Sequence, residues 1–558
     1  MPHAGPMDFQ ALILCGPGGS LNTFTSRPEE YPKCLIQVAN RPMVFYAIDF
    51  CRRSGVMGES GSSRYLDPLK RPREFANYIV DITLITPPLS FQPLRTALDQ
   101  NPYLTSFYSP SVSVVAPKDL EMTMGTAELL RLPEVQKCIT KNSLLLPCDL
   151  VCGIPGELIL EAWIANQYVD EGSDSKGVRH ASHPTTSYFD RQLQTRSGGL
   201  AVYYQTENRE ESVQEEATDF IAVAPLQQNE APVIHGPEGP AIPRFSLSKL
   251  LMSMPMATIK EKINQDKSLL VRHSLVENCP RIRILTTFRD AHVYVFPYMV
   301  KHLVHEQHKL ESISEDFVGN WAKSAWQKGL GDKLGLTKDF NKDTTPTHQS
   351  EFTPEIHTGA FVDKIIDLRD MSTTRSHSSD MQPEEFYQSI EMPRMLAYVH
   401  RGSTPFIRRV DNTGVLLSTS LLLAKLPSIE EVGRKNASPF AHAHKVAYPE
   451  GVASPSTVTK KDCLLGENVI VAAGAVIKES VIGANCHVAS AARIMRCVLM
   501  EGVVVETRAE LTGCVIGRRA QIGRESALRG CEVQDATVIA KGTNARDEKF
   551  MVSEDFCV

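Results

Sequence analysis

The chain has 558 residues, 42% of them hydrophobic and 22% charged, with a net charge of −6 and a pI near 6.3. That length exceeds one ordinary core and predicts two to four domains of soluble globular type. The charge balance and scattered basic residues give no reason to expect nucleic acid as the main ligand, and thirteen cysteines without a CxxC pair, the closest being Cys148 and Cys152, argue against a zinc site or a disulfide framework.

The opening MPHAGPMDF holds an acid and no basic n-region, so no signal peptide is expected. Phe9 to Cys15 is a continuous apolar run stopped by Gly16-Pro17-Gly18-Gly19, which predicts a buried strand ending in a tight loop. Pro42 to Ser54 predicts a helix. Pro42 suits its first position, Met43, Ala47, Phe50 and Cys51 make one apolar stripe, and Gly55 suits its end. Tyr78–Thr86, Ser111–Ala116 and Ser143–Cys148 read as strands, with a helix starting at Gly125-Thr126 before the last of them. Strands alternating with helices imply an α/β domain with a mostly parallel, covered sheet. Ligands of such sheets sit at the C-terminal strand ends, which here present the Gly16 loop, the Gly125 turn and Asp149.

This front domain is expected over residues 1–430, with polar insertions near 58–73, 166–216 and 330–383. The acidic run from Glu207 to Glu216 reads as a solvated loop. Gly414 to Leu426, the longest apolar-looking stretch, is too short and too polar to span a bilayer.

A linker is expected over 431–450, followed by a regular period. Leu465, Val471, Ile477, Ile482, Val488, Ile494, Leu499, Val505, Leu511, Ile516, Ile522, Leu528, Val533 and Ile539 are spaced six, six, five without a break. Each circuit takes seventeen residues, and Gly466, Gly483, Gly517 and Gly523 each follow a marked position. That is a hexapeptide-type β-helix with one residue trimmed from every third face, expected over 451–545 with a tail at 546–558. The same period places Ser480, Cys497, Cys514 and Cys531 in one column, one per coil, as small reduced packing residues. A metal ladder in that column is the sharper, disfavoured reading. Open solenoid ends and flat faces predict assembly with another chain.

The Gly16 loop meets neither common phosphate motif. Position 21 is Leu where a dinucleotide fingerprint needs Gly, and no Gly-Lys-Ser/Thr ends the loop. LILCGPGGSLNTFTSRPEEYPKCLIQVANRPM, MGTAELL and LLLPCDL instead fall in the order and context of the nucleotidyltransferases that make sugar nucleotides. With its C-terminal hexapeptide coil, the chain resembles the pyrophosphorylase-like superfamily. SGGLAVYY, ATDFIAVAP, RDAHVYVFP and SISEDFV make it similar, within that superfamily, to the gamma subunits of eukaryotic translation initiation factor 2B.

The resemblance implies a Rossmann-like nucleotidyltransferase-type domain followed by a left-handed parallel β-helix. It makes Gly16, Gly18 and Gly19 the phosphate loop, Lys33 a phosphate-facing cation, and Gly125 and Thr126 the nucleotide lining. Asp149 matches a carboxylate that holds magnesium in active relatives. Active relatives carry an arginine where this chain has Leu21, a loss of about 3 kcal/mol of transition-state stabilisation. The implied role is therefore a non-catalytic subunit with no catalytic residue, no metal ligand and no required cofactor. Residual binding of GTP, GDP or magnesium in the pocket stays open. Implied partners are an epsilon-type catalytic subunit, the alpha, beta and delta regulatory subunits, and initiation factor 2, in the cytosol and with no nucleic acid or membrane. With the sequence ending at Val558, the helical exchange domain of an epsilon chain is not expected, which points to the gamma-type subunit. The alternative is an active sugar-nucleotide pyrophosphorylase, such as one making GDP-mannose. A hexapeptide acyltransferase is disfavoured because His487 is the only histidine within the marked coils.

Overall fold

The computed structural model describes residues 9–54, 79–105, 112–169 except 122, 198–226 except 208, 211, 214 and 215, 247–336 except 270, and 393–551. In the front domain the main strands are β1 Phe9–Leu14, β2 Ile79–Ile85, β3 Val112–Val115, β4 Asn142–Pro147, β5 Leu150–Cys152 and β6 Gly199–Gln205. They are followed by β7 Asp219–Pro225, β8 Leu247–Pro255, β9 Arg283–Phe296, β10 Met395–His400 and β11 Ile407–Arg409. Nine of them form one sheet in the order β3-β2-β1-β4-β9-β6-β10-β8-β7, while β5 and β11 pair as a small separate ladder.

The sheet is mixed rather than mostly parallel. Ladders β1–β2, β1–β4, β2–β3 and β6–β10 are parallel, whereas β4–β9, β6–β9, β7–β9, β7–β8 and β8–β10 are antiparallel. Two strands run in the reverse direction: the fourteen-residue β9 between β4 and β6, and β8 between β10 and β7, so every ladder that either makes is antiparallel. The strands visible as an alternating βα pattern were only those of the parallel end.

Alternation along β1 sets the two faces of the sheet. Phe9, Ala11 and Ile13 join one core with Val44, Ala47 and Phe50 of the helix α1 Met43–Arg53. Leu12 faces the other core with Leu145, Phe296 and Trp321. Helices α2 Phe91–Gln100, α3 Thr126–Arg131, α4 Pro133–Cys138 and α5 Gly156–Val169 follow along the chain. The expected insertion at 166–216 is not one piece, because β6, buried along nearly its whole length, lies inside it. Its residues 170–197, the whole of 58–73 and residues 337–383 lie outside the described residues.

Helix α6 Thr413–Lys425 accounts for the apolar stretch near its end. It buries Val415, Leu416, Leu421 and Leu423, and is capped by the Asn412 side chain, which accepts from Val415 N at 2.9 Å. Among the described residues no helix is long and apolar enough to cross a membrane.

The C-terminal domain is a parallel β-helix of three sheets, with six, six and five strands. Each strand pairs in parallel with the one seventeen residues on, as Val481 does with Val498 and Val498 with Val515. The marked aliphatics form its core, with Leu465, Ile482, Leu499 and Ile516 stacked in one row. Pairing begins with a bridge from Val446 to Leu465 and continues to Lys549–Phe550, so the coil takes residues beyond both edges of 451–545. Gly483 is needed for proximity, since a Cβ there would stand 2.6 Å from the Met500 carbonyl carbon. Ser480, Cys497, Cys514 and Cys531 do stack. Ser480 Oγ accepts from Cys497 N at 3.2 Å, and Cys497 Sγ accepts from Cys514 N at 3.4 Å.

One apolar cluster joins the two domains. Leu21, Tyr46, Leu416 and Phe440 of the front part pack with Leu464, Val481, Val498 and Val515, which line one outer face of the coil. Polar contacts tighten the seam. Asn40 Nδ2 donates to Ile482 O at 2.8 Å, Thr23 Oγ1 to Glu532 Oε2 at 2.8 Å, and Gln534 Nε2 to Ser26 Oγ at 2.7 Å.

Candidate functional site

The parallel end of the sheet runs in the chain order third, second, first, fourth, so the direction of winding reverses between β1 and β4. Loops leaving such a reversal diverge and open a crevice. Here the β1 loop carries Gly16, Gly18, Gly19 and Lys33, and β4 is followed by Asp149. The structure brings Lys33 and Asp149 together: Lys33 Nζ lies 2.6 Å from Asp149 Oδ2.

A third group closes over the same carboxylate. Alternation along β11 sends Arg408 and Arg409 in opposite directions. Arg409 Nε stands 3.3 Å from Asp149 Oδ1 and its Nη2 is 3.4 Å from Oδ2. Arg409 also approaches Asp411 Oδ2 at 4.0 Å, and Asp411 is gripped by Arg289, whose Nη1 lies 3.2 Å from Oδ1. On the other side Arg408 Nη1 meets Glu216 Oε2 at 3.1 Å, and Arg289 Nη1 meets Oε1 at 3.4 Å. Lys33, Arg289, Arg408 and Arg409 thus face Asp149, Glu216 and Asp411, four cations to three carboxylates.

Burial decides how strongly these pairs act. Asp149 is fully buried, and burial alone would push its carboxyl up. Arg409 and Lys33 outweigh that and hold it well below the usual carboxylate range. Burial dominates at Glu216, which is raised in spite of Arg408 and Arg289. The Glu216 side chain is 3% exposed, so this end of the acidic run departs from the solvated loop expected, while Glu210 stays 63% exposed. His292 sits at the β9 irregularity with φ 52° and is kept neutral, first by burial and then by Arg409.

The donor set around Asp149 does not fit a magnesium ion. Each of its oxygens already faces a fixed cation, and a divalent ion would have to displace the Arg409 guanidinium or the Lys33 amine. Among the described residues no group of three or more His, Cys, Asp or Glu is placed to hold a metal.

The glycines are used unequally. Gly18 has φ +86°, and a Cβ there would meet Thr25 Cγ2 at 2.8 Å and Lys33 Cβ at 3.0 Å. At Gly16 and Gly19 no atom lies within 4 Å of a Cβ. Leu21 is 1% exposed and belongs to the interdomain cluster. Ser20 Oγ donates to Asp411 O at 2.6 Å, which fastens the loop to the end of β11.

Gly125 and Thr126 are committed elsewhere. Gly125 N donates to Glu128 Oε2 at 2.9 Å, Ala127 N to Glu311 O at 2.8 Å, and Thr126 Oγ1 accepts from Ile313 N at 2.9 Å. The amides that would meet a phosphate at this helix start thus already serve α3 and the segment around Glu311.

Residues 459–557 match a family model described as the GMPPB C-terminal domain. A curated relative, translation initiation factor eIF2B subunit gamma from Schizosaccharomyces pombe, is 22% identical over 328 residues. That match covers 58% of this chain and 53% of the relative, so the chain spans about half the length of the relative it matches. The chain is similar to a translation initiation factor subunit. It is likewise similar to a pyrophosphorylase-like protein with hexapeptide repeats, since the GMPPB-type match falls on the coil.

Sequence reasoning missed Arg409, Asp411, Arg289, Arg408 and Glu216, which make most of the cluster. Consecutive arginines in the short apolar context FIRRVD were the available signal. A charged pair there has to find carboxylates on both sides of its strand.

Proposed function

We propose that this chain is a non-catalytic subunit of a guanine-nucleotide exchange complex acting on translation initiation factor 2. In this reading it pairs with an epsilon-type catalytic subunit, joins alpha, beta and delta regulatory subunits, and helps to bind initiation factor 2 and release its GDP. The front domain is a nucleotidyltransferase-type fold kept as scaffold, and the coil is a left-handed β-helix. The observation that carries the reading is the ion cluster at Asp149, taken with the similarity to the gamma subunit of Schizosaccharomyces pombe. A site for phosphoryl or nucleotidyl chemistry needs cations free to meet the reacting phosphates. Here Lys33 and Arg409 are spent on an internal carboxylate, and the loop leucine is spent on the domain seam.

The match of the coil to the GMPPB C-terminal domain favours one second reading, an active sugar-nucleotide pyrophosphorylase. Incubating the purified full chain with mannose 1-phosphate, GTP and magnesium separates the two. The scaffold reading expects no pyrophosphate above background. Robust turnover abolished by Lys33→Ala overturns it. Co-purification of the tagged chain should recover a stoichiometric larger sibling with initiation factor 2 subunits. A lone homo-oligomer carrying a sugar nucleotide counts against the assignment.

A further inference from the structure

Away from the ion cluster, the front domain carries a groove of about 530 Å³ floored by β7, β8 and β9. Its floor is a small separate core of Ala222, Leu251, Leu275, Cys279 and Trp326. The Trp326 indole N–H is satisfied by Leu251 O at 2.8 Å, so its remaining role is contact area. Apolar side chains stay exposed along the groove although a core lies beneath them: Val271 is 51%, Val276 53% and Ile284 52% exposed. A contiguous apolar strip with a polar rim marks a contact surface more often than a scattering of surface residues does.

The rim is charged with one sign. Lys262 of the helix Met256–Asp266, Arg272 just ahead of the helix His273–Asn278, and Lys323 of the helix Gly319–Ser324 all line the groove. None of the three makes an ion pair among the described residues, and Asp316 is the one carboxylate that acts on Lys323. Lys323 is half-buried, and the Lys262 and Arg272 charges reinforce the effect of burial in lowering its pKa. The three cations therefore make a positive edge on which Asp316 is the one carboxylate acting at Lys323.

We propose that this groove docks an acidic amphipathic helix of a partner protein. Its apolar stripe would lie along Val271, Val276 and Ile284, and its carboxylates would meet Lys262, Arg272 and Lys323. The openness of the groove and the exposure of its lining suit the helix-in-groove mode better than an enclosed small-molecule cavity. Charge complementarity specifies the sign of the partner.

The test is fluorescence anisotropy with the full chain and two labelled sixteen-residue helical peptides. Both carry leucines at helical spacing on one face. One has glutamates on the other face, and its counterpart has lysines. The acidic peptide is expected to bind about tenfold tighter than the basic one at low salt, with the difference shrinking as salt rises. Val276→Glu, an exposed position, should weaken the acidic peptide about tenfold, and Lys262→Glu with Arg272→Glu should reverse the preference. Circular dichroism of the variants separates a lost site from a lost fold. Equal binding of both peptides, or acidic binding untouched by these variants, overturns the proposal. So does displacement of the acidic peptide by decyl phosphate alone, with no charge preference among peptides, which would assign the groove to small amphiphiles.

Discussion

Arg409→Met is the sharpest probe of the ion cluster. It leaves Asp149, which is fully buried, with Lys33 as its remaining cation, and leaves Asp411 to Arg289. Removing one partner of a buried pair costs about 3–5 kcal/mol. The surviving Lys33 contact at 2.6 Å argues for the low end, about 3 kcal/mol. Global melting is a poor gauge in a two-domain chain, because unfolding is not two-state. A local reporter exists: the Val410 amide, next to Arg409 at the end of β11, donates to the Asp149 backbone O at 2.8 Å. Hydrogen exchange at Val410 should accelerate about a hundredfold in Arg409→Met. In Asp149→Leu with Arg409→Met both charges are gone, and Lys33 at the cluster edge can turn its amine to water. That double variant should cost at least 2 kcal/mol less than the sum of the single changes, on the order of a strong coupling energy. Additive costs, or unchanged exchange at Val410 in the single variant, would refute the claim that the guanidinium holds this carboxylate.

Leu21→Arg should cost at least about 3 kcal/mol by placing a charge in the interdomain cluster, and should release no pyrophosphate in the mannose 1-phosphate assay. Gly18→Ala should destabilise the front domain by about 1–2 kcal/mol in native-state hydrogen exchange of its sheet amides, whereas Gly16→Ala and Gly19→Ala should each stay within about 0.5 kcal/mol. Asp290 is pushed up to about 7 from 3.8, by burial first and then by the Asp219 charge. Its folded form therefore holds a proton that the unfolded chain releases, and stability should fall as pH rises from about 4 to about 7, by on the order of 4 kcal/mol. Asp290→Asn should flatten that decline in chemical denaturation followed across this window, and an unchanged pH slope would count against the assignment.

The coil and the first four sheet strands were legible in the sequence because a repeat of seventeen and short apolar runs are local patterns. β9 was not legible as a reversing strand, since RILTTFRDAHVYVF gives its apolar character but not its direction. The site divides the same way. Lys33 and Asp149 stood out by motif, yet their contact with each other and with Arg409 spans 116 and 260 residues of sequence. Charge pairing at such separation leaves no local trace. Leu21 was visible as a missing arginine, while its place in the seam between the domains follows from packing alone.

The coil also sets a unit of allowed change. Its outer row Leu464, Val481, Val498 and Val515 meets the front domain because successive members are spaced by one full turn. Deleting a single residue upstream would rotate every later row by one position and present a different side to that seam. Adding seventeen would lengthen the rod by one strand spacing, about 4.8 Å, and keep every row in phase. The domain thus behaves as a ruler with whole-turn graduations: its length can vary while its orientation toward the front domain stays fixed.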